Sequence, residues 1–525
     1  MEEDVAKNIA DTIKRADRFK VILIGEGILV GVSAGFVVLL YRVALEFAGE
    51  WMKAIVRFAS QNVLSMAAWF AALVIMACIV AALISFDPMI AGSGIPQVEG
   101  EVAGMLEHKW WRVIIAKFAG GFLCMLGGLA LGREGPSIQL GAMTGKGVSK
   151  ALDRGKTEEH FLITCGASAG LAAAFHAPLA GVMFSLEEIH KNFSVSVLIS
   201  VMTASLTGDI LCCVVLGTDS VFRFEITGAI PPRYYWMIAV LGVILGLLGA
   251  FYNWFTLKVQ SLYGRLRVPN AVKLVIPFMC AGILAFTAPE LLGNGFDLIE
   301  QLTTGPRMML GTILFLLIGR FVFSAVSFGP GTPGGIFFPL LVIGGFIGGA
   351  FATACTDIFG ITDAYINNFI LIAMAGYFAA IVRAPLTGII LLFEMSGTLN
   401  NMLSLTTVSV VAYIVATLLG SKPIYESLLE RFMAGRGQAK APGDDVKQKI
   451  LNNFVIKKGS DLDGALIRDV SWPEKCLLVS IQRGAQEIIP RGSTQLMSGD
   501  IIVTMNDERD MTDINRKMED LCAGL

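Results

Sequence analysis

The chain has few charged residues for its length, and this scarcity excludes most soluble folds. Only 16% of its 525 residues are Asp, Glu, Lys or Arg, whereas 54% are hydrophobic. In a soluble chain, about a quarter of all residues would be charged. The formal net charge of -2 provides no global attraction to nucleic acid. We therefore expect a protein embedded in a lipid bilayer, with no nucleic-acid partner.

Several patterns that carry enzyme or cofactor chemistry are also missing. The nine cysteines show no C-x-x-C spacing, so neither a disulfide framework nor a metal site is predicted. No nucleophile and base are paired, which argues against an enzyme. Gly329, Gly331 and Gly334 have the spacing of a dinucleotide fingerprint, but no βαβ unit surrounds them. The sequence thus predicts no enzyme, no cofactor and no metal.

Long apolar segments are abundant between about residues 21 and 432. They lie near 21–48, 64–86, 113–131, 161–186, 193–217, 234–260, 271–293, 307–328, 336–356, 367–393 and 402–420. Many differ from a simple span of about 20 residues or are rich in glycine, which predicts tilted, re-entrant or broken helices. Without period-2 alternation, a membrane barrel is disfavoured. We expect an all-α polytopic membrane domain, preceded by a basic, cytoplasmic helix over residues 1–20.

An internal repeat divides the apolar region into halves of about residues 21–225 and 226–432. Residues 177–188 are matched, at an offset of 207, by residues 384–395. Each half also carries a broken element rich in glycine and proline at a corresponding place. This pattern favours a binding site between two repeats near the middle of the membrane.

Three short Gly/Pro motifs, at residues 92–96, 132–136 and 335–339, precede apolar helices. Each resembles a helix N-terminus, whose free N–H groups and partial positive charge favour an anion. Several converging ends would bind an anion loosely enough to release it. The residues proposed for these helix ends are Gly92, Gly94, Pro96, Gly132, Arg133, Gly135, Pro136, Gly335 and Pro339. Ser93 and Tyr425 offer hydroxyl donors, and an acidic Glu134 at membrane depth indicates an ion or proton pathway.

These motifs resemble the signatures of the CLC family of chloride channels and chloride/proton antiporters. They are written GSGIP (92–96), GREGP (132–136) and GIFFP (335–339), and the resemblance covers about residues 20–432. It implies a fold of two inverted repeats and a homodimer with a complete pathway in each subunit. It also implies a bacterial inner-membrane protein with both termini in the cytoplasm.

The resemblance assigns a role to each residue of the site. The hydroxyls of Ser93 and Tyr425 and the backbone amides of Ile336 and Phe337 would bind chloride. Glu134 would be the external gating glutamate, which competes with the anion when it is ionised and swings aside when it is protonated.

Glu188 matches the internal proton-relaying glutamate of the antiporters in this family. Its presence favours chloride/proton exchange over a passive, voltage- or pH-gated chloride channel, which is the alternative. Glu188 could instead be a helix-terminal residue in a salt bridge, because Glu187 and Lys191 lie nearby. Ser93 resembles the chloride-preferring members of the family. A potassium transporter is a third hypothesis, but no TVGYG-like filter supports it.

Other ionisable residues in the apolar region are expected to serve the structure. Arg133 is expected to hold backbone carbonyls or a carboxylate, and His176 is predicted to be a hydrogen-bonded packing residue. Arg320, Arg383 and Glu394 are interpreted as internal ion-pair partners.

The composition changes after Tyr425, where a polar linker over residues 433–448 leads to a small α+β domain at 449–525. Short strands are expected near 450–456, 476–482, 486–490 and 500–505, with helices near 463–470 and 507–520. This tail resembles the C-terminal regulatory domain of RCK/TrkA proteins. The resemblance implies dimerisation and, in some members, a small ligand such as a cyclic dinucleotide. Ligand-dependent regulation and a stabilising dimerisation module both remain open.

Overall fold

The computed structural model describes two compact units, Met1–Leu429 and Glu430–Leu525. The described residues are 2–191, 195–218, 222, 224, 226, 228–360, 362–398, 400–436, 449–484, 486–507 and 511–522. Most of the predicted linker, residues 437–448, lies outside them.

The described part of the first unit is helical. Eight of its helices are long and apolar enough to cross a membrane, so the chain is a multi-pass membrane protein. The helices are α1 (Glu2–Ala59), α2 (Val63–Phe86), α3 (Ile95–Val102), α4 (Trp110–Leu126), α5 (Glu134–Ala151), α6 (Lys156–Phe175), α7 (Pro178–Phe184), α8 (Val195–Leu216), α9 (Tyr235–Arg265), α10 (Asn270–Thr287), α11 (Phe296–Thr304), α12 (Leu310–Phe328), α13 (Phe337–Phe359), α14 (Ile366–Val382), α15 (Pro385–Ser396), α16 (Met402–Leu418) and α17 (Ile424–Ala434).

The N-terminal segment is continuous with the first apolar segment. Residues 1–20 were predicted to be helical, and the backbone runs as a single helix through α1. The predicted boundary is therefore a change of polarity within one helix.

The predicted broken helices are confirmed at two corresponding places. The apolar segment 161–186 is divided between α6 and α7 by His176, which has φ 56°. The segment 367–393 is divided between α14 and α15 by Arg383, which has φ 72°. Both residues adopt the left-handed conformation that ends a helix, and a proline begins the next helix two residues later in each case.

Two of the spans lie at the centre of the membrane unit. The most apolar windows of the spans Phe337–Phe359 and Asp363–Val382 are each 83% buried, compared with 33–44% for the other six long spans. The outer spans expose large apolar side chains, as expected for helices that face lipid. The helix that begins at the third Gly/Pro motif is therefore enclosed by protein.

Close packing of α5 against α6 depends on glycines at their contact. A methyl group on Gly141 would lie 2.1 Å from the carbonyl oxygen of Gly166, and a methyl group on Gly166 would lie 2.1 Å from that of Gly141. These distances are far below van der Waals contact, and the obstructing atoms belong to backbone. The two helices can approach this closely only because both positions lack a side chain.

Replacing Gly141 with Ala is expected to destabilise the membrane unit by at least about 1–3 kcal/mol, the usual cost of overpacking. The added methyl group would force α5 and α6 apart, which should lower the midpoint of thermal unfolding in detergent. Gly311 is the matched control, because a methyl group there meets no atom within 4 Å. Equal midpoints for the Gly141→Ala and Gly311→Ala variants would contradict the proposed role of this contact.

The two repeats contact each other through a reciprocal pair of glutamates. Glu187, from the first repeat, accepts hydrogen bonds from the first turn of α15, and Glu394, from the second, accepts them from the first turn of α7. The bonds come from Leu386 N (3.3 Å), Thr387 N (2.9 Å) and Thr387 Oγ1 (2.8 Å) to Glu187, and from Leu179 N (2.9 Å) and Ala180 N (2.7 Å) to Glu394. All these partners are related by the 207-residue offset. Reciprocal contacts of this kind indicate an approximate two-fold relation between the repeats.

Three predicted ion-pair partners bond to other groups instead. Glu394 accepts from backbone N–H groups, because the free amides of a helix N-terminus attract a carboxylate. Arg320 donates to the carbonyl oxygens of Leu291 (2.9 Å) and Gly293 (2.8 Å). Arg383 donates to backbone carbonyls at the end of α16. A guanidinium has five donors, so it can satisfy several free carbonyls where helices end.

The second unit contains a four-stranded antiparallel sheet in the order β1-β4-β2-β3. Its elements are β1 (Lys449–Val455), β2 (Leu477–Arg483), β3 (Gln486–Ile488), β4 (Ile501–Asp507) and α18 (Met511–Cys522). Apolar side chains of the sheet and of α18 share one core. The side chain of Arg483 donates two hydrogen bonds to Asp500, at 2.8 and 2.7 Å, and holds β2 to the turn before β4.

The helix predicted over residues 463–470 is wrong. The described backbone there contains turns and one 3-10 turn at Ile467–Asp469. Gly464 has φ 86°, and the backbone of Gly464, Ala465 and Ile467 forms hydrogen bonds with the segment at 494–496. Pairing with a distant segment has replaced the local helical bonds that the side-chain pattern suggested.

Candidate anion and proton site

The first Gly/Pro motif is joined by backbone hydrogen bonds to the residues just before the third. The amide of Gly92 donates to Gly331 O at 3.0 Å, and the amide of Gly334 donates to Gly92 O at 3.1 Å. Lys117, buried in α4, donates from Nζ to the carbonyls of Ile90 (2.9 Å) and Gly92 (2.7 Å). Sequence reasoning missed Lys117, although a lone basic residue inside an apolar helix was a signal for such a role.

The second and third motifs are joined in the same way. Gly132 and Gly335 exchange two backbone hydrogen bonds, N to O, of 2.7 and 2.8 Å. This short antiparallel bridge places the start of α5 at Glu134 beside the start of α13 at Phe337. The first motif lies against the second, because a methyl group on Gly135 would be 2.3 Å from Ser93 Oγ. The ends of α3, α5 and α13 therefore meet in one place.

Several buried polar groups at this meeting point lack a partner. Ser93 Oγ, Tyr425 Oη and both carboxylate oxygens of Glu134 make no hydrogen bond to any residue that the structure describes. The carboxylate faces the backbone N–H groups of Glu134 and Phe338, but neither is close or aligned enough to complete a bond. An unpaired buried polar group costs about 1–3 kcal/mol. Unsatisfied groups of this kind in one place indicate a site for a ligand or an ion.

Aromatic rings connect Tyr425 to the beginning of α13. The ring of Phe184 lies 6.4 Å from the ring of Tyr425 and 5.9 Å from that of Phe337, measured between centroids. Phe337 also packs against Phe378 at 4.7 Å. Tyr425 and Phe337 are both fully buried. The rings thus link Tyr425 through Phe184 to the first residue of α13.

A cavity of about 620 Å³ approaches the site from one side. Its lining includes Arg42, Glu46, Arg133 and Phe222. Arg133 lies next to Glu134 in the chain, but its guanidinium contacts Glu46 at 3.5 Å. The arginine of the second motif is therefore turned toward a carboxylate in the cavity, away from the helix ends. We call this cavity the vestibule.

Glu188 lies at a second buried position, in a π-helical turn at Ser185–Ile189 that follows α7. It is 5% exposed, and its Oε1 has no hydrogen-bonding partner among the described residues. The cation suggested as its salt-bridge partner, Lys191, is hydrogen-bonded to Glu99. The neighbouring Glu187 caps α15. Two adjacent glutamates thus have different surroundings.

The fold and the site define a polytopic membrane protein in which broken helices from two repeats surround buried groups suited to an anion. The sequence model described as "Voltage gated chloride channel" matches residues 75–417. The chain therefore belongs to the voltage gated chloride channel, or CLC, family. The TrkA-C domain model matches residues 453–507. The predicted family and the predicted type of tail domain are confirmed.

Named relatives and solved structures agree with this assignment. The chain is 34% identical over 443 residues, which are 81% of this chain and 92% of the relative, to the "H(+)/Cl(-) exchange transporter ClcA" of Vibrio cholerae. It is 35% identical over 364 residues, 68% of this chain and 76% of the relative, to the protein of the same name from Yersinia pestis.

Two crystal structures share the fold. A slow cyanobacterial Cl-/H+ antiporter is similar with a TM-score of 0.75 and 30% identity, covering 79% of this chain and 99% of that one. A CLC-type fluoride/proton antiporter is similar with a TM-score of 0.62 and 21% identity, covering 77% and 97%. The second likeness concerns the fold alone.

Proposed function

We propose that this protein is a secondary active antiporter that moves chloride across the membrane in exchange for protons. The observation that carries the proposal is the buried, unpaired carboxylate of Glu134 at the helix ends that also carry the unpaired hydroxyl of Ser93, with Tyr425 within electrostatic reach. A carboxylate at an anion site can both imitate the anion and carry a proton. Relatives named as exchangers support this function over a passive channel.

Chloride binds where the helix N-termini meet. The amides of Ile336 and Phe337, at the start of α13, and the hydroxyls of Ser93 and Tyr425 donate to the anion. Partial positive charge at the three helix ends stabilises it without a buried lysine or arginine at the anion. Binding by partial charges is weak enough for release, which transport requires.

Glu134 alternates between two states that exclude or admit the anion. As a carboxylate, it occupies the position near the amides of α13 and competes with chloride. When a proton arrives through the vestibule, the neutral side chain leaves this position and chloride takes its place. Proton binding and anion movement are coupled because the same amides serve both negative groups.

Glu188 accepts protons from the opposite side. Glu188 is buried in the turn that follows α7. The charges of the paired residues Glu99 and Lys191 are close enough to act on its carboxylate. Phe184 directly precedes the turn that carries Glu188 and packs against Tyr425, on which the charges of both Glu188 and Glu134 act; we therefore expect these two rings to form a wall between the glutamates. A proton would pass from Glu188 to Glu134 across this wall.

The test is a transport assay on purified protein in vesicles. An outward chloride gradient should drive protons inward against their own gradient, and collapse of the chloride gradient should stop them. Chloride movement without uphill proton movement would reject the antiporter and leave a passive chloride channel. Potassium in place of sodium should have no effect on either flux.

The remaining assignments follow from the same family membership. We place the protein in a bacterial inner membrane as a homodimer, with both termini in the cytoplasm. The second unit, which matches the TrkA-C domain, acts as a regulatory module. A small ligand such as a cyclic dinucleotide is the proposed effector, and a dimerisation module without a ligand is the alternative. Transport requires no catalytic residues, in agreement with relatives that are transporters and exchangers.

A further inference from the structure

Three side chains that the proposed transport does not use come together where α6 ends beside α8. His176 ends α6, and Asp209 and Cys213 lie on α8. His176 Nδ1 is 2.8 Å from Asp209 Oδ1 and 3.3 Å from Cys213 Sγ, and Cys213 Sγ is 3.7 Å from Asp209 Oδ2. One nitrogen, one oxygen and one sulfur atom thus lie within 4.8 Å of one another.

The local backbone explains this grouping. Asp209 and Cys213 are four residues apart, so they share one face of α8. The left-handed conformation of His176 ends α6 and leaves the imidazole beside that face. The adjacent Cys212 is 2% exposed and packs in a separate apolar cluster with Tyr41. Two neighbouring cysteines therefore have different surroundings, and only Cys213 meets His176.

We propose that His176, Asp209 and Cys213 form a binding site for a zinc ion. Thiolate, imidazole and carboxylate are the side-chain groups that bind zinc in proteins. Zinc bond lengths of about 2.0–2.3 Å place tetrahedral ligand atoms about 3.2–3.7 Å apart. The two contacts of Cys213 already have this spacing.

Only a small rearrangement would complete the coordination. The contact of 2.8 Å between His176 and Asp209 is a hydrogen bond, so the atoms must separate by about 0.5 Å to reach zinc geometry. Zinc would displace the proton between them and the thiol proton of Cys213, and both protons would be released to solvent. His176 and Cys213 are partly exposed, so their side chains have room to adjust. Three protein ligands would leave a fourth position for water.

The site would connect two elements next to the contact between the repeats. His176 directly precedes α7, whose first turn is capped by Glu394 from the second repeat. Two further charges act on this cluster: that of Glu394 favours a divalent cation, and that of Arg42 opposes it. A bound zinc ion would hold the turn between α6 and α7 against α8. Given the proposed antiporter function, we expect zinc to slow transport by stiffening this region.

The metal content of the purified protein tests the zinc site independently of transport. The full-length protein in detergent is incubated with zinc, passed through a desalting column and analysed for zinc and protein. Wild type and Cys212→Ser should retain one more zinc ion per chain than Cys213→Ser or His176→Gln. With cadmium as the probe, wild type and Cys212→Ser should show a thiolate-to-cadmium absorption band that Cys213→Ser lacks.

Equal zinc and cadmium binding by wild type and Cys213→Ser, or no binding by wild type, would overturn the proposal. The Asp209→Asn variant tests whether loss of zinc could result from misfolding, because asparagine has nearly the same size as aspartate. This variant should elute as a folded protein in size-exclusion chromatography and should still lose the extra zinc ion. In vesicles, zinc should slow chloride flux in wild type and Cys212→Ser several-fold more than in Cys213→Ser. If proton coupling is absent, the antiporter proposal fails. The zinc and cadmium measurements would still decide whether the zinc site exists.

Discussion

Replacing Glu134 with Gln is expected to abolish proton transport completely while chloride continues to cross the membrane. Glutamine has nearly the same size, but it neither binds a transportable proton nor carries the negative charge that competes with chloride at the helix ends. In reconstituted vesicles monitored for chloride and pH together, proton movement should fall to the level of protein-free vesicles. Chloride flux should remain well above that level.

The same substitution should remove the response of chloride flux to pH in the external solution. In wild type the flux should rise as the solution becomes more acidic, because protonation releases Glu134 from the anion site. In the variant no group at that position can be protonated, so the flux should be constant as the external pH changes.

Glu46 provides a matched control for Glu134. It is an acid of the vestibule, half exposed, and it contacts Arg133. Glu46→Gln should retain proton coupling, because its carboxylate is paired with Arg42 and Arg133 in the vestibule. Coupled transport in Glu134→Gln, or its loss in Glu46→Gln alone, would contradict the roles proposed for these acids.

The sequence predicted the helix ends well because the responsible signals are local. Glycine and proline at residues 132–136 and 335–339 restrict the backbone wherever they occur, and α5 and α13 begin within these motifs. The repeat was visible for a similar reason, since its 207-residue offset preserves the order of residues. The bridge between Gly132 and Gly335 was not predicted, because it depends on how two distant segments fold together.

Roles of buried charges were harder to predict than their positions. Arg320, Arg383 and Glu394 were identified as internal residues, but ion pairing was the wrong interaction for all three. Each bonds to backbone groups at or just beyond the ends of helices. Such groups exist only where helices end in three dimensions, so a search for opposite charges in the sequence does not find them.

Contacts between residues that are far apart in the chain were not predicted from the sequence. His176 is 33 residues from Asp209 and 37 from Cys213, and these spacings match no metal motif. The pairing of Glu187 with α15 spans about 200 residues. In each case the residue types were visible, but their meeting depends on the path of broken helices through the fold.

Replacing Glu188 with Gln is expected to stop proton transport while leaving chloride flux largely intact. Glu188 is buried, its Oε1 is unpaired, and the nearby Lys191 is bonded to Glu99. A neutral side chain of the same shape should fit this position without loss of stability. Because it cannot accept a proton, the route to Glu134 would be interrupted at its inner end. The measurement is the ratio of proton to chloride flux in the same vesicles.

The neighbouring Glu187 is the matched control for Glu188, because its role is structural. Its carboxylate accepts hydrogen bonds from the backbone of Leu386 and Thr387 at the start of α15. Glu187→Gln should therefore lower stability by about 0.5–2 kcal/mol, the usual value of a helix cap, and should lower the unfolding midpoint. Its flux ratio should remain that of wild type. Proton coupling that survives Glu188→Gln, or that is lost only in Glu187→Gln, would show that the inner proton acceptor is a different residue.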